Sequence, residues 1–483
     1  MMLLFVAHSL YVGNAACAPC HAEIAQAYAP TPMANSSGLV KGELRAGRFR
    51  HSESKTEYQI EPSGRVTAAR GAVTVMRQLD YFIGSGAVGQ SFVSSKNRFL
   101  FQAPVTWYSQ LARWDVSPGY EHDEASRWNR PIQPECLNCH SSQIRSSPDY
   151  LNSYADPPFA QNGIGCERCH GPGSDHVQGK GTMVNPAKLE PAKRDSVCAQ
   201  CHMSGEVRID RTGKRWMDYR PGTLLSDFAA YFVTEGLSDL KATSYVEKLS
   251  ASRCKLASKD RLWCGTCHDP HRVPAPAKRV AWYRTQCLSC HATSSCGRPG
   301  DCAACHMPKS KVVDVNHGVL TDHAIPRIPA SVAPAKESWE LRPFTAESKG
   351  DRELGLAYAA LFYRTGDQRQ ESEAVRLLIT VPPDFDVQVA LANLQERRGD
   401  FSGILKLYRS GNNGPGFASS LVNLGVYLGS IGKIADAIAI WRNVLRQNPC
   451  AEEAGINLVK ALQFQANHDV VRSDLNARAS CVF

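Results

Sequence analysis

Cys264-Gly265-Thr266-Cys267-His268-Asp269-Pro270-His271 places two thiols and two imidazoles within one short segment. Two residues between the cysteines let a single helical turn present both sulfurs to the two vinyl groups of one haem. The histidine that follows then points at the iron as proximal ligand. Zinc sites and redox dithiols also use C-x-x-C, but neither requires a histidine directly after the pair. With 18 cysteines and 15 histidines in 483 residues, chance supplies about 0.02 copies of C-x-x-C-H. The chain holds seven.

The other six are Cys17–Cys20–His21, Cys136–Cys139–His140, Cys166–Cys169–His170, Cys198–Cys201–His202, Cys287–Cys290–His291 and Cys302–Cys305–His306. Seven covalent haem c groups are expected, held by these fourteen cysteines. From Cys136 to Met307 the motifs follow one another with Pro and Gly between them and little hydrophobic periodicity. Haems, not side chains, should form the core there. The first and second motifs are separated by Ala22 to Glu135. Period-two and aromatic runs (Glu57-Tyr58-Gln59-Ile60, Tyr81-Phe82-Ile83-Gly84, Arg98-Phe99-Leu100-Phe101) suggest a small antiparallel β insertion at about residues 48–108.

Composition narrows the partners. The formal charge of +9 suggests nucleic acid or anionic lipid, but seven haems with two propionates each bring it to about +2 oxidised and about −5 reduced. No Lys/Arg run exceeds two residues, so no nucleic-acid partner is expected. No stretch reaches the eighteen or more apolar residues of a membrane helix, and no transmembrane segment is expected. Met1-Met2-Leu3-Leu4-Phe5-Val6-Ala7 lacks a basic n-region, and residues 1–16 read as the remnant of a truncated export signal. Haem thioethers are made outside the cytoplasm, so a periplasmic or extracellular location follows, where disulfides also form. Four cysteines are left over. Cys450–Cys481 and Cys254–Cys296 are one pairing of them, and free buried thiols are the alternative.

After a cytochrome region at 17–325 and a Pro-rich linker at 326–345, the pattern becomes helical. Gly366, Gly399 and Gly432 recur at a spacing of 33, and Leu424-Gly425 … Ala437 … Trp441 … Pro449 fits the tetratricopeptide pattern. Residues 346–483 should form an α-solenoid, a general docking surface separable from the haems. The fold class expected is therefore mainly α: a haem-packed cytochrome region with a small β insertion, then tetratricopeptide repeats.

Several segments resemble the bacterial multihaem cytochromes that join a cytochrome region to tetratricopeptide repeats. These are related to the tetrahaem cytochromes that accept electrons from hydroxylamine oxidoreductase. The resemblance rests on Tyr81-Phe82-Ile83-Gly84-Ser85-Gly86, Pro104-Val105-Thr106-Trp107-Tyr108, Ser117-Pro118-Gly119-Tyr120, His170-Gly171-Pro172-Gly173-Ser174-Asp175-His176, His268-Asp269-Pro270-His271, His306-Met307-Pro308-Lys309 and Thr321-Asp322-His323. It implies electron transfer, and it implies that His176 and His271 are distal ligands of neighbouring haems. His317 and His323 rank next, followed by His51 and His122. A surface or propionate-bonding role is the alternative for each.

His8 lies in the signal remnant, and His468 reads as a surface residue of the repeats. Six distal histidines for seven irons leave one site for Met33, a partner molecule's histidine, or no ligand. Met33 is equally readable as a core residue. Met203 and Met307 follow proximal histidines and should point away from their own irons. Redox partner proteins are expected, with self-association through haem ligation or through the repeats. The function expected is single-electron transfer along seven haems, without a catalytic residue. The alternative is an oxidoreductase acting on a small nitrogen or sulfur compound at one open iron.

Overall fold

The computed structural model describes residues 10–464 except 125–126, 148–149, 151, 235–239, 292–299, 328–337, 347–349 and 412–416. Alternation builds the first unit. In β3 (Thr56–Ile60) every second residue is buried, as a strand covered on one face demands. β3 pairs with β2 (Gly47–His51) and with β4 (Arg65–Arg70), and β4 pairs with β5 (Val73–Gln78), all antiparallel. A second antiparallel sheet runs β1-β6-β7-β8-β9: Ser37–Leu39, Tyr81–Ile83, Gly89–Lys96, Phe99–Tyr108 and Arg113–Val116.

Tyr58, Ile60 and Val66 of the first sheet pack against Phe92, Val105 and Trp114 of the second. Gly47 is required at their crossing, because a Cβ there would meet the Trp114 ring at 2.3 Å. The β insertion is thus a nine-stranded, two-sheet unit over 37–116, larger than the small sheet expected at 48–108. Its short, half-polar edge strands carry too little apolar pattern to be read one by one.

The haem-motif region has the opposite character. Among the described residues from Lys241 to Lys311, no hydrophobic side chain is buried. Trp263, Trp282 and Tyr283 are only half-buried there. Chain alone does not close a core in this belt.

A three-stranded sheet joins this region to the C-terminal helices. β12 (Val207–Asp210) follows the fourth motif and pairs with β13 (Ala229–Thr234), which pairs with β16 (Leu341–Pro343). β10 (Ser142–Ser146) with β11 (Tyr154–Gln161), and β14 (Lys309–Lys311) with β15 (Val319–Thr321), form separate hairpins. Alternate residues of β13 face opposite ways. Ala229 and Tyr231 pack with Trp216, Tyr219, Met203 and Cys139 of the motif region. Ala230 and Phe232 pack with Ala357, Tyr358, Leu361 and Phe362 of the first C-terminal helix, Asp351–Thr365.

Arg211 pairs with Glu353 at 3.2 Å, and Arg364 donates to the Glu206 carbonyl at 2.6 Å. The expected linker therefore contributes a strand, and the helical region shares a core with the cytochrome region and does not hang from it. Further along, Arg127 pairs with Glu452 at 2.7 Å, and Phe99 and Phe101 pack on Cys450.

Helices Asp351–Thr365, Gln368–Leu378, Phe385–Arg397, Ser402–Arg409, Ala418–Ser430, Ile434–Gln447 and Glu452–Phe464 stack as successive hairpins. Gly366, Gly399 and Gly432 sit in the turns with φ of 73°, 83° and 81°, a left-handed conformation that glycine adopts without strain. Gly425 lies under the Trp441 indole, which a Cβ would meet at 2.5 Å. No described helix is long and apolar enough to cross a membrane.

Candidate haem-ligand site

Each motif sits on a helical turn or at the end of a short helix. The histidine N–H closes the turn on the first cysteine's carbonyl at 3.0 Å in four motifs: His21 on Cys17, His170 on Cys166, His268 on Cys264 and His291 on Cys287. Pro134 and Pro191 start the helices that end in His140 and His202, where the missing N–H costs nothing. Asp301 caps Cys302–His306 by accepting from Ala303 and Ala304 N–H at 2.9 and 3.2 Å.

The residues inside the motifs, which haem attachment leaves free, tie the motifs together. Glu167 of the third motif is buried and accepts from the N–H groups of Val12, Gly13 and Gly173 at 2.8–2.9 Å. The Cys166 N–H bonds Asn14 Oδ1 at 2.9 Å, so the approach to the first motif is clamped on the third. Arg168 donates to the Asn138 carbonyl of the second motif at 2.9 Å. Gln200 of the fourth donates to the Arg168 carbonyl at 3.0 Å.

Thiols from different motifs meet as well: Cys17 with Cys166, Cys139 with Cys201, Cys198 with Cys264, and Cys287 with Cys302. Trp282, on the helix entering the sixth motif, donates to the Cys267 carbonyl at 3.3 Å. The order in space is one, three, four, five, six, seven, with the second motif set beside the third and fourth.

Three pairs of imidazoles stand out. His21 faces His176 with ring centroids 6.3 Å apart and planes 23° apart. His170 faces His271 at 5.9 Å and 9°, and His268 faces His323 at 6.2 Å and 29°. A metal bonded to one nitrogen of each ring at about 2 Å needs centroids roughly 6 Å apart. Each pair therefore has the separation that one shared iron demands. The far nitrogens are anchored in several of these rings. Nδ1 of His170 bonds the Val184 carbonyl at 2.7 Å, that of His176 the Gly181 carbonyl at 3.3 Å, and that of His323 the Thr321 carbonyl at 3.0 Å.

Such bonds fix the tautomer and orient a metal-bound histidine. Burial lowers the imidazoles of His202, His268, His271 and His323, and that of His140 to about 4. It favours the neutral form that ligates metal. A groove of about 550 Å³ next to the fifth motif is lined by Glu23, Gln26, Thr31, Arg272 and Arg279, and its two guanidinium groups suit propionates. The buried Trp216 Nε1, Tyr219 hydroxyl and Arg168 Nε have no partner in the bare chain, again beside motif cysteines. The residues fit covalent haem.

The remaining expected ligands lie elsewhere. His51 is held through both ring nitrogens, by Ser54 Oγ at 2.9 Å and the Glu121 carbonyl at 3.1 Å. His122 is largely exposed and bonds Glu53 at 3.0 Å. His317 bonds Asp115 at 2.9 Å and packs on Tyr108, joining the β14–β15 hairpin to the β unit. All three are engaged in the protein surface or the β unit instead of pairing with a motif histidine. The Met33 carbonyl accepts from Ser36 Oγ at 2.8 Å, and the same hydroxyl bonds the His140 carbonyl at 2.8 Å. The Met33 loop thus lies against the second motif.

Among the described residues no non-motif histidine pairs with His140, His202, His291 or His306. The ring next to His202 is that of Tyr245, at 5.6 Å. His8 and His468 lie outside the described residues. Cys254 is a free thiol, and Cys296 lies outside the described residues. Cys450 is disulfide-bonded, and Cys481 lies outside the described residues.

Sequence reasoning missed Glu167, Arg168 and Gln200. The only signal was their place between two motif cysteines, where any residue satisfies the haem.

With its motifs, its paired imidazoles and its coreless belt, the chain is a multihaem c-type cytochrome. Two family models agree: cytochrome c554 and c-prime matches residues 111–171, which hold the second and third motifs, and the doubled CXXCH motif matches 256–295, which hold the fifth and sixth. Among solved structures the chain is similar to the outer cell wall cytochrome OcwA, with 14% identity, 97% of this chain and 99% of that one covered, and a TM-score of 0.43. A mutant of MamA matches 29% of this chain and 81% of its own at 14% identity, with a TM-score of 0.23. No curated protein matches.

Proposed function

We propose that this chain is an exported seven-haem electron-transfer protein in which the pairs His21/His176, His170/His271 and His268/His323 would each hold one haem iron. The observation that carries this is the set of three imidazole pairs at one separation, 5.9–6.3 Å. When bound, each haem supplies an iron that cycles between ferric and ferrous states. The chain would position them: motif-to-motif hydrogen bonds set the order, and at the three paired sites two imidazoles would leave no position for a substrate. The helical hairpins, read as tetratricopeptide repeats, supply a docking surface for a redox partner or a second copy.

Mass spectrometry of the denatured holoprotein tests the count, and seven covalent haems are expected. A count of six or fewer in mature protein overturns the stoichiometry. Changing His176, His271 or His323 to Ala should each turn one low-spin ferric iron high-spin.

A second reading is favoured by one observation: His140 and His202 have no imidazole partner among the described residues. An iron left open there would act on a small nitrogen or sulfur compound. Carbon monoxide binding to the ferrous protein decides between the two. Binding at one or more equivalents, abolished when the second or the fourth motif is removed, selects the second reading. Loss of a low-spin signal on Met33→Ala instead gives the second iron a methionine ligand.

A further inference from the structure

The net positive charge is not spread over the molecule. Residues 253–311, which carry the fifth to seventh motifs, hold eleven Lys and Arg against three Asp and Glu, a net of +8 out of +9. Arg253, Lys259, Lys278, Arg279, Lys309 and Lys311 are all exposed. Three haems there would bring the segment to about +5 when ferric and about +2 when ferrous, and the rest of the chain with four haems to about −3 and −7.

Attachment thiols reach the surface at both ends of the motif order. Cys20, Cys136, Cys290 and Cys305 are exposed, whereas the cysteines of the third, fourth and fifth motifs are at most half-exposed. Of these four, only Cys290 and Cys305 lie within the strongly cationic segment, where a haem would be reached through a basic surface.

We propose that the face formed around the sixth and seventh motifs is the docking port for an acidic electron-transfer protein. Complementary charge steers such a partner and raises its encounter rate, an effect that salt removes. Each electron arriving in this segment lowers its charge by one unit. The oxidised port attracts an acidic partner more strongly than the reduced one, so delivery of electrons to it loosens the complex. The proposal rests on the electron-transfer reading of the chain.

The test follows oxidation of the chemically reduced holoprotein by ferricyanide, an anion, and by hexaamminecobalt(III), a cation. One variant reverses the face with Arg253→Glu, Lys278→Glu, Lys309→Glu and Lys311→Glu. A control reverses four exposed cations of the β unit with Lys41→Glu, Arg48→Glu, Lys55→Glu and Arg65→Glu. Haem content and spectra report whether each variant has matured. At low salt the face variant should react with ferricyanide about tenfold more slowly than wild type. That gap should close at high salt, and the cobalt reaction should not slow.

A wild-type ferricyanide rate independent of salt overturns the port, as does an equal loss in the control. Heparin retention lost in the face variant with an unchanged ferricyanide rate makes the face a polyanion site, and overturns it too. Haems that fail to exchange electrons with one another after reduction would defeat the carrier reading itself, a separate outcome.

Discussion

Two regions of this chain solve the same problem by opposite means. The C-terminal hairpins bury Ile404, Phe417, Leu424, Ile440, Trp441 and Leu458 around one another, and their stability is carried by side-chain packing. The belt from Lys241 to Lys311 buries no hydrophobic side chain among its described residues. Its fifth and sixth motifs are joined by the Trp282–Cys267 hydrogen bond, and bound haem would complete it. Foldability is intrinsic in the first and conditional in the second.

The largest effect should come from withholding haem. Protein made without thioether attachment should lose protection throughout 241–311 while the hairpins from 385 to 464 keep theirs. Hydrogen exchange on the two forms measures this, and an unprotected hairpin region would erase the distinction. Next is Trp441→Ala. It empties the space over Gly425 and should cost about 3–5 kcal/mol of hairpin stability with little change in the haem spectrum.

On the other side, Glu167→Ala leaves the N–H groups of Val12, Gly13 and Gly173 without their acceptor. It should cost about 2–3 kcal/mol and loosen the first haem before any other, read as early loss of its low-spin signal on heating. The smallest change is a gain. Glu247 keeps one buried oxygen unpartnered while the other accepts from Ser204 and Gly205 N–H, and burial raises its carboxyl.

A raised acid binds its proton more tightly in the folded state. Its penalty is therefore absent at low pH and grows as pH rises through and above the ordinary carboxylate range. Glu247→Gln should stabilise by about 1 kcal/mol at neutral pH, and the gain should fade on acidification. Thermal melts at two pH values check the sign.

These regions also differed in how far the sequence could be read. Motif cysteines and proximal histidines are legible because the chemistry forbids variation in their spacing. His176, His271 and His323 are legible as extra histidines near motifs, but their partners are far along the chain and nothing local names them. His317 has the same local signature and is spent instead on Asp115. The period-33 glycines are visible because each fills a left-handed turn. The shared sheet was hidden: Leu341–Pro343 reads as linker, since three residues hold no periodicity, and its pairing is decided by β13 more than a hundred residues earlier. Removing residues from about Ala346 should therefore disturb the haem region, by baring Phe232 and Ala230, and should not leave it intact.

The imidazole pairs have a direction. His21 is matched by a histidine just after the third motif, His170 by one just after the fifth, and His268 by one after the seventh. A chain that crosses a membrane from its N-terminus thus presents each attachment motif well before the residue that completes it. Maturation would proceed with the earlier irons held on one side only, each waiting for later chain to arrive. The segment around His323 would be the last of these ligands to arrive, ahead of the C-terminal helices, so a polypeptide stalled or clipped before it would carry its haems and still be recognisable by their incomplete ligation.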